Sequence, residues 1–342
     1  MSESGSHIPA VSVIIPVYNV APFIRECAES LFNQTLQDIE YIFIDDASTD
    51  NSIEILEEVI ATRPDRKGQV RVVRHRDNKG ISYTRGEGMA LAKGEWLIHC
   101  DSDDTVEPVA YSKMLETAKN KNADIVVSAY REFNSDGWDL KFPQGEGSIS
   151  CRNLLDGITG LSDSFHGSMW NKLINRKLCE NNKFLNGVSY CEDVVFLIQM
   201  LINHPDIKVE IIPDCLYNYR KRKDSLITRK NKKREAELQF LIRYLEQLRD
   251  NLDPSYKDTI NSKIIGLIFR LLNDTDDLKR VSKEYKAYKG DVGHSKELNK
   301  FKRLFLKHAL NGNYTISRTV RSCNNLARKV IKTGPPKKEM QK

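Results

Sequence analysis

The 342-residue sequence has no apolar run near the ~20 residues that a membrane-spanning helix needs, and its opening "MSESGSHIPA" lacks the apolar stretch of a signal peptide. A chain that is soluble, or peripheral to a membrane, is expected. Seven cysteines (Cys27, Cys100, Cys151, Cys179, Cys191, Cys215, Cys323) are odd in number, scattered and free of Cys-x-x-Cys spacing. That argues against a disulfide scaffold or a zinc ribbon and suits reduced thiols in a cytoplasmic protein. The seven histidines show no ligand spacing and the chain no internal repeat. The first strand-like segment is followed by "PVYNVAP" rather than Gly-x-Gly-x-x-Gly, and Gly-x-x-x-x-Gly-Lys-[Ser/Thr] is also missing. Dinucleotide and P-loop binding are therefore set aside, and "GEGMALAKG" matches neither motif.

What is present is an alternation. "VSVIIPVYN" (11–19) is nearly continuously apolar and β-branched, as a strand covered on both faces is. Phe23, Ile24, Cys27, Leu31 and Phe32 then fall at helical spacing, and "IEYIFIDD" (39–46) returns to the buried-strand pattern. A helix after "STD", a strand at 70–75, a helix ending at Gly94 and a strand at 95–101 continue the series. Strands alternating with helices predict a parallel sheet whose ligands bind beyond the carboxyl ends of the strands. Further on, a helix over "EPVAYSKMLETAKNKN" and the strand "ADIVVSAYREF" precede a loop-rich stretch from 134 to 167. "SMWNKLINRKLCENNKF" and "YCEDVVFLIQMLINHP" read as helices, "IKVEIIPDCLYNYR" as a strand and "KRKDSLITRKNKKR" as a basic linker. From Glu235 the pattern is helical, with one stripe at Leu238, Leu241, Ile242, Leu245 and Leu248 and a second at Ile260, Ile264, Leu267, Ile268 and Leu271.

Charge is unevenly spread. Residues 220–342 carry 32 Lys+Arg against 14 Asp+Glu, whereas residues 1–219 carry 21 against 33. In the acidic half, "HCDSDDTVEP" puts Asp101, Asp103 and Asp104 directly after a buried strand, where their like charges repel. A hard divalent cation bridging Asp oxygens and diphosphate oxygens would relieve that repulsion.

"VSVIIPVYN", "FIDDASTDNS", "DNKGISYTRGEGMALAKGEWL" and "DSDD" stand in the order and at the spacings of the family 2 glycosyltransferases, and "WNKL" and "CEDVVF" resemble the family's second half. The resemblance covers about residues 10–228. It implies an inverting, metal-dependent transferase of the α/β GT-A class, with a Rossmann-like, mostly parallel sheet flanked by helices and a C-terminal helical extension. The implied segments are a nucleotide-sugar-binding half at 9–105, an acceptor-binding half at 106–228 and a basic helical extension at 229–342. Pro16 and Tyr18 are expected to pack on the nucleobase, Asp46 to bond it and Arg85 to reach the nucleotide. Asp101 is expected at the ribose, with Ser102 in the same binding set, Asp103 at Mn²⁺ or Mg²⁺, and Asp193 as general base. The family's Asn is replaced here by Gly86.

Plainer roles compete with several of these. Ser48, Thr49 and Asp50 suit helix capping better than binding. Glu192 and Asp193 also make an ordinary acidic helix start. Asp104 suits a cap of the "TVEP" turn, Arg85 a solvated helix face, Trp170 the core and His99 a structural strand position.

A nucleotide-sugar donor and a glycan or lipid-linked acceptor in polysaccharide biosynthesis follow from the resemblance, with a UDP-sugar expected. The basic tail from "KFKRLFLKH" onward suits either an anionic membrane surface on the inner face or a solvated helical cap with a disordered "TGPPKKEMQK" terminus. No nucleic-acid motif accompanies the charge. Two other functions compete: a sugar nucleotidyltransferase, disfavoured because "PVYNVAP" is not a Gly-rich basic loop, and a silent nucleotide- or glycan-binding scaffold, disfavoured by the intact Asp101, Asp103 and Asp193.

Overall fold

The computed structural model describes residues 7–134, 137–141, 146–162, 165–222, 232–293, 295, 298–317 and 319. Strands β1 (Val11–Val17), β2 (Ile39–Asp45), β3 (Val70–Arg74) and β4 (Trp96–His99) pair in parallel in the order β3-β2-β1-β4. Their crossovers run through α1 (Ile24–Phe32), α2 (Ser52–Ala61) and α3 (Ile81–Leu91). Every residue of β1 is buried, which is what its unbroken apolar run requires. Helix α3 lies so close to the sheet that a Cβ at Gly88 would come within 2.4 Å of Ile14 Cγ2. Gly88 of "GEGMALAKG" is thus a packing residue. Because β2 and β4 flank β1 on opposite sides, the winding reverses there, and the loops leaving these strands open a crevice.

After β5 (Thr105–Val106) and α4 (Ala110–Lys121) come β6 (Ile125–Asn134), β7 (Gly137–Lys141), β8 (Gly147–Ser150), α5 (Cys151–Ile158), β9 (Lys172–Asn175), α6 (Glu192–Asn203) and β10 (Lys208–Arg220). The sheet continues from β4 through β9, β6 and β10 to β5, with β9 antiparallel to both β4 and β6. Two expectations are corrected here. The segment 168–184 is not a helix: it holds β9 and a 3₁₀ turn at Arg176–Cys179. Ile174 pairs with Leu97 of β4 and Ile125 of β6 at once, and that pairing overrides a helical spacing only a few residues long. Likewise the stretch 134–167 carries β7, β8 and α5, elements too short to register a period.

The chain divides into two compact units, one of residues 1–155 and 165–227, the other of 156–164 and 228–342. The second contains α7 (Lys232–Asp250), α8 (Lys257–Asp274), α9 (Leu278–Glu284) and α10 (Lys300–Leu310). Leu238, Leu241, Ile242 and Leu245 of α7 and Ile260, Ile264, Leu267, Ile268 and Leu271 of α8 are buried, as their stripes predict, while Leu248 is half-buried. Most of the basic linker and the whole "TGPPKKEMQK" terminus, with Cys323, lie outside the described residues. Among the described residues no helix is long and apolar enough to cross a membrane. Cys27, Cys100, Cys151 and Cys179 are buried thiols.

Candidate active site

The crevice is built first by stapling two strand-end loops together. Asn19 and Ala47, just beyond β1 and β2, both adopt left-handed backbone, with φ of 53° and 61°. Asn19 donates its N–H to Ser48 Oγ (3.1 Å), and its Oδ1 accepts the Thr49 N–H (2.8 Å). Val20 N–H donates to Ser52 Oγ (2.8 Å) and Ala21 N–H to Asp50 Oδ2 (2.9 Å). The expectation that Ser48 to Asp50 cap α2 is therefore corrected for Ser48 and Thr49, whose side chains are taken up by the neighbouring loop. Asp50 does reach the helix start, accepting the Ser52 N–H (3.1 Å). Pro16 is buried within β1, while Tyr18 is 48% exposed at the mouth. The register Val17↔Asp45 sets Tyr18 beside Asp46.

Asp46 is buried. Its Oδ1 faces His75 Nδ1 (2.8 Å) and accepts the Lys79 N–H (2.8 Å), and its Oδ2 accepts the Gly80 N–H (2.8 Å). His75 Nε2 in turn lies 2.5 Å from Glu87. Burial works against a charge on His75, but the two carboxylates outweigh it and raise its pKa. Asp46 thus fixes the turn into α3, where Gly80 takes φ 87° at the N-cap, a conformation that favours glycine.

Arg85, one turn into α3, is the hub. It is buried, which rules out the solvated-face reading. Its Nη2 bonds Asp101 Oδ1 (2.8 Å), its Nη1 meets His99 Nδ1 (3.2 Å) and its Nε lies 3.4 Å from Glu192 Oε1. Burial works against its charge, yet Asp101, Glu192 and Asp193 hold the proton more firmly than usual. Burial, then the Arg85 charge, pushes His99 well below its ordinary range. A neutral His99 accepting from Arg85 is a structural residue, as expected.

The three aspartates after β4 separate in role. Asp104 is buried, accepting the Tyr217 O–H (2.7 Å) and the Arg220 N–H (2.7 Å), so its carboxylate ties the turn to β10 rather than capping "TVEP". Asp103 Oδ2 pairs with Arg222 Nε at 2.6 Å. Burial and the nearby Asp101 raise the Asp103 pKa, with Arg222 opposing. Ser102 is buried between them in sequence. Trp170 is a core residue, stacked on Tyr217 at 4.3 Å.

Glu192 and Asp193 open α6, after Cys191 in left-handed backbone. Asp193 is half-buried and accepts the N–H of Val194 (2.8 Å). Burial raises the pKa of both carboxyls, and Arg85 restrains each. Lys172 of β9 is fully buried, and its Nζ donates to His166 O, Ser168 O and Asn171 Oδ1 at 2.7, 2.7 and 2.8 Å. Burial pushes it down to about 7, and the Asp193 charge opposes that.

Arg85, Asp101, Glu192 and Asp193 thus act on one another as a single cluster, and Asp103 stands two residues from Asp101. Sequence reasoning missed Lys172, His75 and Arg222. Lys172 is signalled only by one charge among the apolar residues of "WNKL", and Arg222 is hidden in a run of basic residues.

Asp101 and Asp103 supply hard oxygen donors of the kind Mg²⁺ and Mn²⁺ take. Among the described residues no group of three or more His, Cys, Asp or Glu is placed to hold an ion. The donor set therefore fits an ion shared with substrate phosphates and water, not one caged by protein alone.

The family model "Glycosyl transferase family 2" matches residues 12–187. This chain belongs to glycosyltransferase family 2. Among its family relatives, the uncharacterized glycosyltransferase EpsJ of Bacillus subtilis is 32% identical over 224 residues, 64% of this chain and 63% of EpsJ. Glycosyltransferase GlyG of Streptococcus pneumoniae is 30% identical over 64% of this chain and 72% of its own. The chain thus spans a little under two thirds of EpsJ. The fold is that of the GT-A glycosyltransferases. TarS 1–349 of S. aureus in complex with UDP-GlcNAc superposes with a TM-score of 0.68 at 19% identity, covering 93% of this chain and 92% of that one. A mannosyltransferase from Pyrobaculum calidifontis, in complex with GDP-Man and Mn²⁺, gives 0.56 at 16% identity over 94% and 88%.

Proposed function

We propose that the protein is an inverting glycosyltransferase that moves a sugar from a nucleotide-sugar, UDP-linked, onto a hydroxyl of a glycan or lipid-linked acceptor in polysaccharide synthesis. The observation that carries this reading is the Arg85-centred cluster, in which Asp101 at the end of β4 and Glu192 of α6 meet one guanidinium. The donors held by the structural relatives, UDP-GlcNAc and GDP-Man, support a nucleotide-sugar.

Residues 9–105 form the donor half of this assignment. Tyr18, exposed beside Asp46, offers its ring to the nucleobase above Pro16, and Asp46 offers a carboxylate oxygen to the base. Arg85 orients Asp101 toward the ribose, with Ser102 behind it. Asp103 would hold Mn²⁺ or Mg²⁺, which when bound would supply Lewis-acid stabilisation to the diphosphate leaving group. In the acceptor half, 106–228, Asp193 takes the proton of the acceptor hydroxyl. Burial suits it to that task, because a raised pKa brings a carboxylate nearer the basicity that proton abstraction at neutral pH requires. Arg85 keeps enough of it ionised. A single base on one face matches inversion.

The extension 229–342 contributes a surface. Residues 298–317 contain no Asp or Glu, and α10 exposes Phe301 (59%) and Leu304 (45%) alongside Lys300 and Lys307. This pattern supports a peripheral seat on an anionic membrane, on the cytoplasmic side where the free thiols stay reduced.

Product analysis tests the assignment. Incubation with UDP-sugars, Mn²⁺ and an acceptor glycan is expected to release UDP. Release of pyrophosphate would instead identify a nucleotidyltransferase, and no turnover of any donor a binding scaffold.

A further inference from the structure

Two arginines leave β10 toward the aspartate turn, and they are held very differently. Arg220 is pinned: its backbone N–H bonds Asp104, its Nε donates to Asp103 O (2.9 Å), its Nη2 bonds Glu26 (2.5 Å) and its guanidinium lies over the Phe133 ring at 4.4 Å. Arg222 instead makes an ion pair with Asp103 Oδ2 at 2.6 Å, with the face of Phe23 5.1 Å from its guanidinium. Its side chain is 30% exposed, against 6% for Arg85.

The three aspartates therefore differ in how their charge is met. Asp101 has buried Arg85, Asp104 has a tyrosine hydroxyl and a backbone N–H, and Asp103 has a cation that solvent can reach. We propose that Arg222 is a built-in counter-cation for Asp103, which a divalent ion must displace before the donor can be bound productively. A guanidinium and a divalent ion compete for one carboxylate, because the two cations repel across it at such short separation. Displaced from Asp103, Arg222 remains within a side chain's reach of the turn and carries the planar fork that suits a diphosphate. Ion and nucleotide binding are thereby coupled: the ion frees the guanidinium, and the phosphates give it a new partner. The pair also offsets the charge of Asp103 between turnovers.

The inference rests on the metal-assisted reading above, and the test separates the two. Mn²⁺ alone is titrated at pH 8 into the full chain and into Arg222→Ala and Arg222→Lys, followed by electron paramagnetic resonance. UDP is then titrated calorimetrically at saturating Mn²⁺. Arg222→Ala is expected to bind Mn²⁺ alone roughly fivefold more tightly than the native chain, the size of a lost competing ion pair. It is expected to bind UDP about tenfold more weakly at saturating Mn²⁺. Arg222→Lys keeps the charge without the fork, so its Mn²⁺ affinity stays native while UDP binding still weakens. Mn²⁺ affinity that is unchanged or lower in Arg222→Ala overturns the competition. A native chain that takes up no Mn²⁺ even with UDP overturns the metal reading itself.

Discussion

Buried charge is used in opposite ways in the two compact units. In the helical unit, polar groups satisfy one another between and along helices: Arg249 bonds Asn261 and Tyr288, Tyr288 bonds Glu246, and Arg270 bonds Asp274 one turn on in α8. In the unit that contains the sheet, Asp101, Asp103, Glu192 and Asp193 crowd around fewer cations, and the last three carry raised pKa values. The helical unit spends its polar residues on cohesion. The sheet unit holds acids in an environment that opposes their ionisation, a local cost of the kind that binding and catalytic sites tolerate.

Substitutions can break this contrast. The largest effect is expected at Asp193→Asn, which should cost about 10²–10⁴-fold in kcat while UDP binding, read by calorimetry, stays native. Next comes Leu271→Ala in α8, a fully buried side chain. A loss of about 2–5 kcal/mol in stability is expected from denaturant unfolding, with turnover per folded molecule unchanged.

A smaller effect sharpens the comparison by its sign. A carboxyl whose pKa is raised on folding binds more protons in the native than in the unfolded state, so its contribution to stability falls as pH rises from its ordinary range through the raised value. Asp193→Asn is therefore expected to melt a few degrees higher than the native chain at pH 8 and to match it near pH 3, in a thermal series across that range. The smallest change is expected at Ala47→Gly, which relieves left-handed backbone at φ 61°. It should gain up to about 1 kcal/mol in denaturant unfolding, since the residue's neighbours already fix the loop.

How much of this could be read beforehand varied with the length of the signal. β1 was legible because seven buried residues in a row leave few alternatives, and the α7 and α8 stripes because each repeats over several turns. β9 was not, since four residues flanked by strands on both sides carry no period of their own. In the site, Asp101, Asp103 and Asp193 stood out as acids at strand and helix ends. That Arg85 is buried among them could not be read, because an arginine on a helix looks the same in sequence whether its face meets water or two carboxylates. Arg222 was concealed for the opposite reason: surrounded by Lys221 and Lys223, it had nothing to distinguish it from a solvated basic run.

The reversal of β9 also has a practical side. Because this strand runs against β4 and β6, its first residue, Lys172, arrives at the edge where those two depart, and the chain entering it, 165–171, is delivered there as well. Ser168, Met169, Trp170 and Asn171 are buried there, Asn171 bonding Ser128 of β6, whereas Phe165 is half-buried and His166 exposed, so exchanging those two side chains leaves the parallel strands, and everything anchored on them, undisturbed. A library confined to those two positions is the economical place to look for altered acceptor choice under the proposed assignment.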